Sequence, residues 1–72
     1  MKLEDYVKTL DNNSRITWVL FDRYMRYSYL YSMSIKLCDL KNMCFWKDLR
    51  KNEILKVIKN GNNVLFKLRS VS

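Results

Sequence analysis

The spacing of apolar and polar positions changes several times along the chain, and each change marks a predicted element. In residues 2–10, Leu3, Tyr6, Val7 and Leu10 fall on one face at helical spacing. This predicts a short amphipathic helix that depends on tertiary support. The polar stretch Asp11-Asn12-Asn13-Ser14 ends it, and Asn13 or Ser14 suits the N-cap of the next segment. Through residues 15–26, Arg15, Asp22 and Arg26 recur, with Arg23 alongside. Ile16, Val19, Leu20 and Tyr24 line one face, and Trp18, Phe21 and Met25 widen it. That pattern predicts an amphipathic helix with a broad apolar side. The period then shortens to two, as Tyr27, Tyr29, Tyr31, Met33 and Ile35 alternate with Ser28, Leu30, Ser32 and Ser34. Alternation favours a half-buried strand over a continuation of the helix to Leu30.

Ser34 is placed to cap a helix over residues 35–41, with Ile35, Leu37, Cys38 and Leu40 inward. A tight turn at Asn42-Met43 leads into a second short helix over 44–52. There Phe45, Trp46 and Leu49 point inward, and Lys47, Asp48, Arg50 and Lys51 outward. One helix spanning 35–52 is the alternative. Residues 54–69 form two apolar runs around Asn60-Gly61, which contains the only glycine of a chain without proline. Asn-Gly between apolar runs signals a two-residue hairpin turn of type I′. That tip pairs Lys59 with Asn62, Val57 with Val64 and Leu55 with Phe66, with Leu68 extending the apolar face. The other face carries Ile54, Lys56, Ile58, Leu65, Lys67 and Arg69. Two strands alone are marginal, so the alternating segment 27–33 is the expected third strand.

At 72 residues the chain is one domain, residues 1–72, with 1–13 as a helical extension. Its hydrophobic fraction of 49% argues against disorder. Two cysteines and no histidine do not make a four-ligand zinc site, so no metal or cofactor is expected. The first eight residues include Glu4 and Asp5 and lack the apolar core of a signal peptide. Cys38 and Cys44 are therefore read as reduced core thiols of a cytoplasmic, intracellular protein. The longest uncharged run, residues 27–35, is far shorter than the roughly 20 apolar residues of a membrane-spanning helix.

Charge is uneven. Residues 1–35 hold five basic and four acidic side chains, against nine and three in residues 36–72. The basic half points to a polyanion partner. Catalysis has little footing: the acidic residues form no paired motif and there is no phosphate loop, so the chain is not expected to be an enzyme.

The order of helix, short strand, two helices and hairpin resembles the winged helix-turn-helix family over residues 14–69. The strongest likeness is W-K-D-L-R-K-N-E-I-L-K-V-I-K-N-G-N-N-V-L-F-K-L, where Leu49, Ile54-Leu55, Gly61 and Phe66-Lys67-Leu68 fall in the family's places. S-I-K-L-C-D-L is similar to the capped first helix of the turn motif. The chain departs from the family in having Glu53 where a glycine follows the recognition helix, which leaves Asn52 to form a left-handed cap. The resemblance implies an α+β fold with three core helices, a small antiparallel sheet ending in a hairpin wing, and an extra N-terminal helix.

It also implies a DNA-binding transcriptional regulator, with helix 44–52 in the major groove and the wing on the backbone or in the minor groove. Arg50 would contact a base, with Lys47 and Lys51 on phosphates and Asn42 at the helix start. Lys36 and Lys41 would approach phosphates from the first helix. Lys59, Asn60, Asn62 and Asn63 would form the contact at the wing tip. The partner expected is double-stranded DNA, bound by a homodimer joined through Trp18, Phe21 and Met25. The Asn-, Lys- and Tyr-rich composition suits an AT-rich viral, phage or plasmid genome. A protein-binding inhibitor or adaptor on the same fold is the main alternative, and RNA binding is a third.

Overall fold

The computed structural model of the protein describes residues 1–26, 28–30 and 34–71. The molecule is α+β: among the described residues, five strands form one sheet, and short helices cover one side of it.

The centre of the sheet is β1 (Arg15–Phe21). Its sequence Ile16-Thr17-Trp18-Val19-Leu20-Phe21 is rich in β-branched and aromatic residues, which suit a pleated, covered surface. A central strand with neighbours on both edges, buried on one face and half-buried on the other, carries apolar residues on both faces and so reads as a nearly continuous apolar run. The helix expected over residues 15–26 is therefore a strand and a turn. The broad apolar surface of the helical reading is in fact two sheet faces: Ile16 and Trp18 are buried, while Val19 and Phe21 are half-buried. After Phe21 the chain reverses at Asp22. Its carboxylate accepts hydrogen bonds from the amides of Tyr24 (3.0 Å) and Arg26 (2.8 Å). Its carbonyl accepts one from the Met25 amide (3.0 Å). Such local bonding is how aspartate closes turns, and Met25 is held at φ 62°.

Two short strands, β2 (Ser28–Leu30) and β3 (Ile35–Lys36), run antiparallel along one edge of β1. The expected third strand thus joins β1 rather than the hairpin; its residues Tyr27, Tyr31, Ser32 and Met33 lie outside the described residues. Next come α2 (Leu37–Leu40) and α3 (Trp46–Leu49), each a single turn. The break near Asn42 stands, but both helices are shorter than expected. Ser34 does not cap α2, whose N-cap is Lys36 with no side-chain bond. Asn52 is not in the left-handed region, since Met25 is the one non-glycine with positive φ among the described residues.

The chain ends in the hairpin β4 (Glu53–Asn60) and β5 (Asn63–Arg69). β5 lies parallel to β1 over its whole length, from Arg15 opposite Asn63 to Phe21 opposite Arg69. The sheet order is β2-β1-β5-β4. It is a mixed sheet, not the antiparallel one expected, because a parallel pair needs a crossover and residues 37–52 supply it.

The hairpin turns one residue later than the Asn-Gly signal implies. Asn60 pairs with Asn63, leaving Gly61-Asn62 at the tip. Gly61 has φ 61° and Asn62 has no positive φ, the signature of a type II′ rather than a type I′ turn. Val57 now faces Phe66 and Lys59 faces Val64. Shifting the partner by two residues preserves which face each side chain occupies. The inner face survives with one exchange. A bulge between Ile54 and Lys56 turns Ile54 inward opposite Leu68, and Leu55 is 40% exposed.

Ile16, Trp18, Val64, Phe66 and Leu68 of the sheet are buried against Leu3, Val7, Leu37, Leu40 and Leu49. The N-terminal helix α1 (Leu3–Tyr6), extended by a 3₁₀ turn over Val7–Thr9, supplies two of these and packs Tyr6 edge-on against Phe66 at 5.5 Å. It is also tied down by its backbone. The Leu3 and Glu4 amides donate to the Asn52 and Arg50 carbonyls (3.0 and 2.9 Å), and the Ile54 amide donates to the Met1 carbonyl (2.8 Å).

Candidate nucleic-acid interface

Register brings four strands to a common end of the sheet. Lys36 of β3 is opposite Arg15 of β1, Arg15 is opposite Asn63 of β5, and Asn63 is opposite Asn60 of β4. The Arg15 amide donates to the Asn62 carbonyl (2.8 Å), which fixes the hairpin tip beside the start of β1. Lys36, Arg15, Lys59, Asn60, Asn62 and Asn63 are all exposed.

Alternation about the buried Ile16 puts Arg15 and Lys36 on the sheet face away from the helices. Lys59 shares the face of Val64 and lies on the helical side. The tip is thus flanked by cations from both sides. None of Arg15, Lys36 and Lys59 has an ion-pair partner among the described residues. The nearby Asp11 is exposed and bonded within its own loop, its carboxylate accepting from the Asn13 amide at 2.8 Å.

Of the remaining expected contacts, three lie on the helical segment between the strands and two at the opposite end of the sheet. Lys41 and Asn42 follow α2, and Lys47 lies on α3; all three are exposed. Arg50 and Lys51 precede β4, whose first residue Glu53 pairs with Arg69 at the far end of β5. That end is about 20 Å from Asn63, at roughly 3.3 Å per strand residue. Arg50 is also engaged, its Nε lying 3.6 Å from the Glu4 carboxylate.

The expected dimer residues separate too. Trp18 is 4% exposed and sits in the core, its ring 5.8 Å from that of Phe45, so it is not on an interface. Phe21 is half-buried on the open sheet face, and Met25 is exposed in the β1–β2 turn. Both cysteines are free; Cys38 is half-buried and Cys44 exposed, so Cys44 is not a core thiol. Among the described residues no cluster of His, Cys, Asp or Glu is placed to hold a metal ion, and no helix is long and apolar enough to cross a membrane.

Arg15 is the residue at this end that the sequence pattern does not place there. Read as a helical polar position, it carried no link to the hairpin. The signal that could have found it is the apolar run directly after it, which marks Arg15 as the first residue of a covered strand. The chain matches no protein-family model, no curated protein and no solved structure.

Proposed function

We propose that this protein binds double-stranded DNA through the end of the sheet built by Arg15, Lys36, Lys59 and the hairpin tip. The supporting observation is the convergence of three cations without ion-pair partners among the described residues, together with three exposed asparagines, from separate strands. Lysine and arginine neutralise phosphates and release counterions, the main source of affinity for a duplex. Asparagine amides both donate and accept, so the tip suits the backbone or the floor of the minor groove, whose pattern is degenerate.

This reading uses the wing of the winged-helix likeness more than its recognition helix. At four residues α3 is about 6 Å long, and its cation is Lys47. Arg50, paired with Glu4, contributes less than an unpaired arginine would. Binding is accordingly expected to be backbone-dominated with modest sequence preference.

A pair of isosteric changes at the tip tests the proposal. Asn62→Asp with Asn63→Asp keeps shape while adding two negative charges beside the phosphates. Duplex affinity, followed by fluorescence anisotropy, should fall by about tenfold or more, since each aspartate loses the amide donor and repels the phosphates. Unchanged affinity in a variant that remains folded would overturn the placement of the tip on DNA.

A further inference from the structure

The face of the sheet opposite the helices breaks the alternation expected of a sheet with one side in water. Positions that should be polar are apolar: Val19 and Phe21 of β1, Leu65 of β5 and Ile58 of β4, the last 42% exposed. Leu65 stands directly opposite Ile58, so the apolar residues adjoin across strands. Lys67 is next to Val19 on one side and opposite Lys56 on the other. Neither lysine has an ion-pair partner among the described residues, and like charges facing each other across a ladder are unfavourable.

We propose that this face docks an acidic amphipathic segment of another protein, its apolar side on Val19, Phe21, Ile58 and Leu65 and its carboxylates on Lys56 and Lys67. Charge decides the occupant. A second copy of the chain would bring the same lysines to a face that already has them in opposition, and the face's acid, Glu53, is bound to Arg69. A single nucleic-acid strand would match the charge but needs ring platforms for its bases. Among the described residues the centre is aliphatic, apart from Phe21. Carboxylates spaced along an apolar stripe satisfy both parts of the surface, and aliphatic burial supplies the affinity that rim charges steer.

The experiment titrates the full chain with a synthetic amphipathic peptide, leucine on one side and glutamate on the other, and follows amide chemical shifts. Shifts should concentrate at Val19, Phe21, Ile58 and Leu65, leaving Asn60 and Asn62 unmoved. Lys56→Glu with Lys67→Glu should weaken the peptide by about tenfold, as two charge contacts become repulsive. Lys56→Gln with Lys67→Gln is the milder pair should the first not fold. Duplex binding at the tip should persist in either. The proposal is overturned if an all-glutamate peptide binds equally well, if shifts fall on the tip, if a single-stranded oligonucleotide occupies the same residues in preference, or if sedimentation shows a dimer that buries the face.

Discussion

At the scale of single residues, Gly61 and Phe66 constrain the structure most. Gly61 takes φ 61° with nothing within 4 Å of where a Cβ would lie. The demand for glycine is thus conformational and not steric. Gly61→Ala should destabilise by about 1–2 kcal/mol, the usual penalty for a left-handed non-glycine residue. Gly61→Asn should recover little of that loss, because the first central position of a II′ turn lies outside the left-handed region that asparagine tolerates, and urea unfolding of the two variants checks this. Phe66 is fully buried and meets Tyr6 edge-on. Phe66→Ala removes about 3–5 kcal/mol. For a chain of this size that approaches the whole stability, so the expected outcome is loss of a cooperative thermal transition. The Arg69–Glu53 pair matters less. Its side chains are 41% and 42% exposed, so Arg69→Ala should cost at most about 1 kcal/mol and depend on salt.

At the scale of elements, β1 and β5 form the rigid centre, each paired on both edges. β4 is the outer strand on its side; its first residues are covered by the chain start, where Lys2 bridges Glu53. Beyond that cover, the bulge at Leu55 and the lysines at 56 and 59 discourage strand addition. Hydrogen exchange should therefore be slowest in β1 and β5 and faster along the second half of β4. Comparable protection across all three would contradict this ranking.

The hairpin was legible at this scale because turn chemistry and face chemistry agree. Its tip was misplaced by one residue because glycine can occupy either central position, in I′ or in II′ turns. The bulge that exchanges Ile54 for Leu55 left no mark in the pattern. The helix predicted over 15–26 failed for a different reason. Six covered residues in a row satisfy a wide helical stripe as well as a central strand, and only the partners on either side decide between them. The parallel pairing of β1 with β5 follows from the crossover and has no local signature. Of the residues singled out by charge and turn position, Lys36, Lys59, Asn60, Asn62 and Asn63 lie together at one end of the sheet. Arg15 joins them only through the register of β1, which has no local signature.

At the scale of the whole molecule, charge is distributed by function of place. Among the described residues four cations form ion pairs, with Asp5, Asp22, Glu4 and Glu53. Arg15, Lys36 and Lys59 at the sheet end, and Lys56 and Lys67 on the open face, keep no such partner among the described residues. Both surfaces stand on one rigid sheet, so a duplex at its end and a protein segment on its face could be held together. That arrangement follows from register alone, since the same alternation that buries Ile16 and Val64 exposes Arg15 and Asn63 beside them.

The central claim, duplex binding at the sheet end, is tested most directly by affinity for a short DNA duplex measured against salt concentration. The log–log slope should be about −3, at about −0.9 for each phosphate met by Arg15, Lys36 and Lys59. In Arg15→Gln, Lys36→Gln, Lys59→Gln it should flatten towards zero. Absence of binding at low salt, or an unchanged slope in the triple variant, would contradict it.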